Sequence, residues 1–168
     1  MMNWVYGYDD RESVNMCLLY RYIISYEPRD FRGHLEEFPL TLEYGKKVDA
    51  LRKRYQGFRW DAEFQDTVGA TVEVAGGDQA TSVSRRPYEG EGPLVPPSGP
   101  VYSVFRRMDS GRKAVVVVNQ GASLFIARVS TGWKSRFIVV SPEDPEPRVT
   151  DGQVHVPLRS AVVVMETE

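Results

Sequence analysis

One cysteine, Cys17, and two histidines, His34 and His155, are the only cysteine and histidine residues among the chain's 168 residues. An intrachain disulfide is therefore impossible, and a Cys/His zinc centre lacks ligands. Long apolar runs are missing as well. Those present are short, such as Ala114 to Val118 and Ala161 to Met165, far from the roughly 20 residues of a membrane-crossing helix. The first residues meet Asp9-Asp10-Arg11-Glu12 almost at once, without the basic segment and apolar core of a signal peptide. A cytoplasmic location is expected unless a leader lies upstream. Net charge is −2, and Arg85-Arg86 and Arg106-Arg107 are isolated basic pairs with no aromatic platform, which argues against nucleic acid as a partner. Gly-x-Ser-x-Gly, P-loop and Gly-x-Gly-x-x-Gly motifs are absent. A whole (β/α)8 barrel takes about 250 residues and does not fit.

What is present divides in two. Residues 1–66 are aromatic-rich and mixed, and residues from 100 onward are β-branched and punctuated by turns. The stretch 76–100 between them, rich in Gly, Pro, Ser and charge, reads as a surface excursion or linker. Tyr44, Val48, Leu51 and Tyr55 fall on one helical face, with Thr41 as the expected N-cap and Gln56-Gly57 as the end. Asp10 to Met16 reads as helix. The apolar run Cys17 to Tyr26 is strand or helix by periodicity alone, and its aromatic, β-branched content before Glu27-Pro28 favours a buried parallel strand. One strand between two helices closes no sheet, so the apolar faces of Leu18 to Ile24 and of Tyr44, Val48 and Leu51 are expected to seek partners.

In the second half, strands are expected over Val101 to Phe105, Lys113 to Val118, Leu124 to Val129, Ser135 to Val140, Gln153 to Val156 and Ala161 to Met165, with Val72 and Val74 adding one more. The turns between them are of the Ser-Gly, Gln-Gly, Thr-Gly and Asp-Gly type, as in an antiparallel sandwich. The expected fold class is α+β: a helical, αβ segment over 1–66 and an antiparallel β-sandwich over 67–168.

Two stretches carry a resemblance. Val115-Val116-Val117-Val118-Asn119, Phe125-Ile126-Ala127-Arg128-Val129 and the closing Asp151 to Val164, with its Pro157-Leu158-Arg159-Ser160, resemble the small β-sandwich that follows the catalytic barrel in α-amylase-like and α-galactosidase-like glycoside hydrolases. Leu19-Tyr20-Arg21-Tyr22, Tyr26-Glu27-Pro28 and Trp60-Asp61-Ala62-Glu63-Phe64 resemble the last barrel strand and helix of uncharacterised bacterial glycosidase-like proteins. The resemblance implies a remnant of a (β/α)8 barrel end before the sandwich. It also implies an accessory role without catalysis by the chain alone, and a missing catalytic barrel or a carbohydrate as partner. Self-association through exposed apolar faces is the further expectation. No cofactor, metal site or membrane partner is expected. The alternative is a stand-alone carbohydrate-binding or protein-interaction module.

Glycoside hydrolysis takes two carboxyl groups, roughly 5 to 9.5 Å apart. Glu27 is the candidate acid, since it would sit at the C-terminal end of a barrel strand, where barrel active sites lie. Its plainer role is an ion pair with Arg21 or Arg29, and the spacing selects neither Asp10 nor Asp30 as a second acid. Tyr22 and Tyr26 are the candidate sugar contacts beside Glu27, and Trp133 is the one in the sandwich. Asp9 to Glu12 reads as a solvated helix start and Glu143 to Pro147 as a solvated hairpin end.

Overall fold

The computed structural model describes residues 2–5, 9–26, 34–75, 101–121, 123–132 and 136–167. Asp10 opens the first helix, its side chain accepting from the Ser13 N–H at 3.2 Å, and α1 runs Arg11–Tyr20. The strand expected over Cys17 to Tyr26 is therefore helix in its first part. Val14, Cys17 and Leu18 recur at helical spacing and are fully buried, and this long-range burial decides between two periods that the short run carries equally. Arg21 ends α1 in the left-handed conformation, at φ 58°, with its guanidinium donating to the carbonyls of Arg59 (3.1 Å) and Ala62 (2.8 Å). Only Ile23–Tyr26 is strand (β2), and it pairs in parallel with β1, Met2–Val5.

The second helix, α2, covers Pro39–Arg54. Pro39 takes the first helical position, where its missing N–H costs nothing, so Thr41 is not the N-cap. It lies buried in the first turn, and its hydroxyl accepts the Asp10 N–H at 2.8 Å, tying the starts of the two helices together. Tyr44, Val48 and Leu51 form the buried face as expected.

The remaining strands are β3 (Ala62–Phe64), β4 (Thr71–Ala75), β5 (Val101–Arg107), β6 (Lys113–Asn119), β7 (Phe125–Ser130), β8 (Phe137–Val140), β9 (Arg148–Thr150), β10 (Gln153–Val156) and β11 (Ser160–Glu166). They make two antiparallel sheets, one of six strands ordered β3-β5-β6-β11-β8-β9 and one of three ordered β10-β7-β4. The architecture is α+β and mostly antiparallel.

Alternation along the central strands builds two cores. Phe105, Ala114, Val116, Val118, Ala161, Val163 and Met165 face α1 and α2. Val104, Val115, Val117, Val162 and Val164 face Phe125, Ala127, Val129, Val154 and Val156 of the smaller sheet. The six-stranded sheet is the middle layer, which explains the unbroken valine run of β6. Of the apolar faces expected to seek partners, Leu18, Leu19, Tyr44, Val48 and Leu51 are buried in the core shared with the six-stranded sheet, whereas Ile23 is 57% exposed. Residues on both sides of position 66 share that core, and β3, within the segment read as helical, pairs with β5.

Candidate functional site

The residues singled out from the sequence do not form one site. Glu27, Asp30 and Trp133 lie outside the described residues. Tyr22 and Tyr26 are described, but at opposite ends of β2. The Tyr22 ring stacks on Tyr20, with centroids 5.5 Å apart and planes at 29°. Tyr26 lies on α2 at Gly45, where a Cβ would come within 1.6 Å of its hydroxyl. Burial, with Asp49 nearby, pushes the Tyr26 hydroxyl above its ordinary value. Asp10 is spent as a helix cap. No group of three or more His, Cys, Asp or Glu among the described residues is placed to hold a metal, and no described helix is long and apolar enough to cross a membrane.

A polar seam does assemble where the helical layer meets the β10–β11 connection. Arg159, in the left-handed region at φ 49°, donates to the Asp9 carboxylate at 2.8 Å and to the Asp9 carbonyl at 2.7 Å. Arg11 donates to Glu143 at 2.8 Å and lies 3.4 Å from Asp9. The Ser160 hydroxyl donates to the other Glu143 oxygen at 2.7 Å. Beneath them Tyr44 donates to Asn15 Oδ1 at 2.6 Å, and Asn15 donates to the Arg159 carbonyl at 3.2 Å. Burial, with Glu143 adding to it, raises the Tyr44 hydroxyl far above its ordinary range. Asp9, Arg11, Glu143, Pro157, Leu158 and Arg159 line an open cleft of about 430 Å³ above this network.

Glu143 to Pro147 is thus more than a solvated hairpin end. Glu143 reaches α1 and Glu146 pairs with Arg54 of α2 at 2.9 Å. Asp9 and Glu143 both act as acceptors for guanidinium groups, which suits cross-linking of layers. Only Pro157-Leu158-Arg159-Ser160 carries a signal for this seam in the sequence. Asp9 and Glu143 are distant acids that only the fold brings to it.

At the other end of α1, Arg59 donates to the Cys17 carbonyl at 3.5 Å, Arg52 to the Tyr22 carbonyl at 3.0 Å, and Arg21 to the carbonyls of Arg59 and Ala62. Comparison with protein-family models, curated proteins and solved structures returns no match for this chain.

Proposed function

We propose that the chain is a C-terminal portion of a glycoside hydrolase-like carbohydrate-active protein, not catalytic alone, with its antiparallel layers bracing a catalytic barrel. One observation carries the reading. The β1–α1–β2–α2 order is that of two successive β/α units, and among the described residues β2 is covered on one face. Ile24 and Tyr26 pack toward the helices, whereas Ile23, pointing the other way, is 57% exposed. Parallel strands are ordinarily covered on both faces, and two strands are fewer than a self-supporting sheet needs. Further barrel strands would complete both the sheet and its inner face. Glu27 follows directly on β2, and in this reading it is the acid this chain contributes, its partner carboxyl coming from the barrel.

The test is light scattering coupled to calorimetry on the purified chain, with hydrolysis of a panel of aryl glycosides measured alongside. Self-association that Ile23→Lys reverses, together with no turnover, is the expected result. A sharply melting monomer would replace this reading with a stand-alone carbohydrate-binding or interaction module. Turnover abolished by Glu27→Gln would make the chain a self-sufficient enzyme.

A further inference from the structure

We infer that the cleft at the seam binds a neutral sugar, taken up as the pyranose ring of a glycoside. Its lining comes from three separate stretches of chain. Asp9 and Arg11 belong to the start of α1, Glu143 to the β8–β9 turn, and Pro157, Leu158 and Arg159 to the β10–β11 connection. At about 430 Å³ the cleft falls within the range of small-molecule sites. Its walls are tied to one another by their own contacts. Arg159 holds Asp9 at 2.8 Å, Arg11 holds Glu143 at 2.8 Å, and Ser160 holds the other Glu143 oxygen at 2.7 Å. Side chains fixed in this way lose little freedom when a ligand arrives.

The lining selects the chemistry. Two carboxylates stand against two guanidinium groups, so the formal charges cancel and neither an anion nor a cation gains a net attraction. Arg159 donates two hydrogen bonds, Arg11 donates one and Glu143 accepts two. A guanidinium has more N–H donors, and a carboxylate more lone pairs, than these contacts use. A purely apolar ligand would strip water from such groups and give nothing in return. A hydroxyl donates and accepts at once, so adjacent sugar hydroxyls can meet guanidinium donors and carboxylate acceptors side by side. Pro157 and Leu158, the latter 51% exposed, supply the apolar wall against which the C–H face of the ring lies. The choice of a sugar among neutral polyhydroxyl compounds rests on the carbohydrate-active reading above.

Titration of the full chain with the methyl pyranosides of glucose, galactose and mannose, followed by calorimetry and by NMR of the leucine methyl groups, tests this. The expected result is saturable binding of at least one of them, with a dissociation constant of about a millimolar, as suits a ligand of this size in an open site. The Leu158 methyl signals should shift with it. Leu158→Glu should weaken that binding about tenfold or more by adding a charge to a balanced site. It should melt as the parent does, since Leu158 belongs to neither core. Arg11→Gln is the second variant, and it should weaken binding about fivefold through lost donors. The matching methyl glucuronide should bind no more tightly than the neutral glycoside. No binding of any of the three up to about 0.1 M, undiminished binding by Leu158→Glu, tighter binding of the glucuronide, or shifts confined to leucines away from the cleft would each overturn the inference. Absent sugar binding with self-association through Ile23 intact would overturn this inference alone. Sugar binding at Leu158 by a sharply melting monomer would uphold it and remove the barrel.

Discussion

The antiparallel layers and the helical layer solve the same problem with different completeness. In the sheets, buried polar groups are matched. Glu166 accepts the Lys113 N–H at 2.8 Å and the Thr131 hydroxyl at 2.5 Å. Asn119 donates to the carbonyls of Ser123 (2.8 Å) and Val156 (3.0 Å) and accepts the Gly121 N–H at 2.8 Å. Of the six buried side-chain atoms without a hydrogen-bond partner among the described residues, five belong to residues 9–59 and one to Gln120. Ile23 of β2, exposed, lies in the same region. Among the described residues, polar satisfaction is thus closer to complete in the antiparallel part than in the β1–α1–β2–α2 part and the turn that follows it.

The harshest way to break that comparison is to strike the shared middle layer. Val117 is fully buried between the two sheets, and Val117→Asp places an unpaired charge there. A loss of about 4 kcal/mol or more is expected, enough to abolish the cooperative melt of both layers. Leu18→Ala strikes the helix side of the same sheet and should cost about 3 kcal/mol, a fall of some 6–12 °C in a single calorimetric transition. Two transitions in that variant would mean that the helical layer melts by itself.

Tyr44 sharpens the comparison through pH. Tyr44→Phe leaves Asn15 Oδ1 buried without its donor, at a cost of about 2 kcal/mol near neutrality. The parent's folded hydroxyl titrates above the ordinary tyrosine value. Beyond about pH 10 the unfolded chain therefore loses a proton that the folded one keeps, and stability falls by up to about 1.4 kcal/mol per pH unit from this residue. Tyr26 pulls the same way. The difference between parent and Tyr44→Phe in alkaline urea titrations isolates the Tyr44 contribution. An unchanged alkaline slope in the variant would disprove it.

The antiparallel half was largely legible because its local signals agree with its burial. Valine runs mark strands covered on both faces. Asp151-Gly152 marks a turn in which Gly152 sits at φ 103° and a Cβ would meet the Val129 carbonyl oxygen at 2.4 Å. The helical half resists reading wherever a tertiary partner decides. Cys17 to Tyr20 is helix because the sheet covers it, and Thr41 falls inside the first turn because the helix already starts at Pro39, with Phe38 at the cap position. β3 and β9 are three residues each, too short for a period to show. Ion pairs such as Arg159–Asp9, 150 residues apart in sequence, leave no local trace.

Arg159 is where the two regions are fastened, and it combines a contact with a backbone cost. Arg159→Ala removes two hydrogen bonds to Asp9 but keeps a Cβ in the left-handed region; about 1–2 kcal/mol should be lost, moderated by partial exposure of the pair. Arg159→Gly removes the same bonds and relieves the backbone, so it should melt above Arg159→Ala by about 1 kcal/mol equivalent. The reverse order would mean that the left-handed conformation at 159 costs nothing.

The smallest effect separates fastening from decoration along the same seam. Arg54 and Glu146 bridge α2 to the acidic turn at 2.9 Å, much as Arg11 and Glu143 bridge α1 to it at 2.8 Å, but the first pair is the more exposed. Arg54 and Glu146 each shift the other's proton affinity in the direction that favours charge, yet water and salt screen such a pair. A double-mutant cycle of Arg54→Ala and Glu146→Ala should give a coupling near the limit of detection that vanishes in molar salt. The Arg11→Ala and Glu143→Ala cycle should exceed it, because Glu143 also accepts from Ser160. Equal couplings would place the union of the two layers in their apolar core alone.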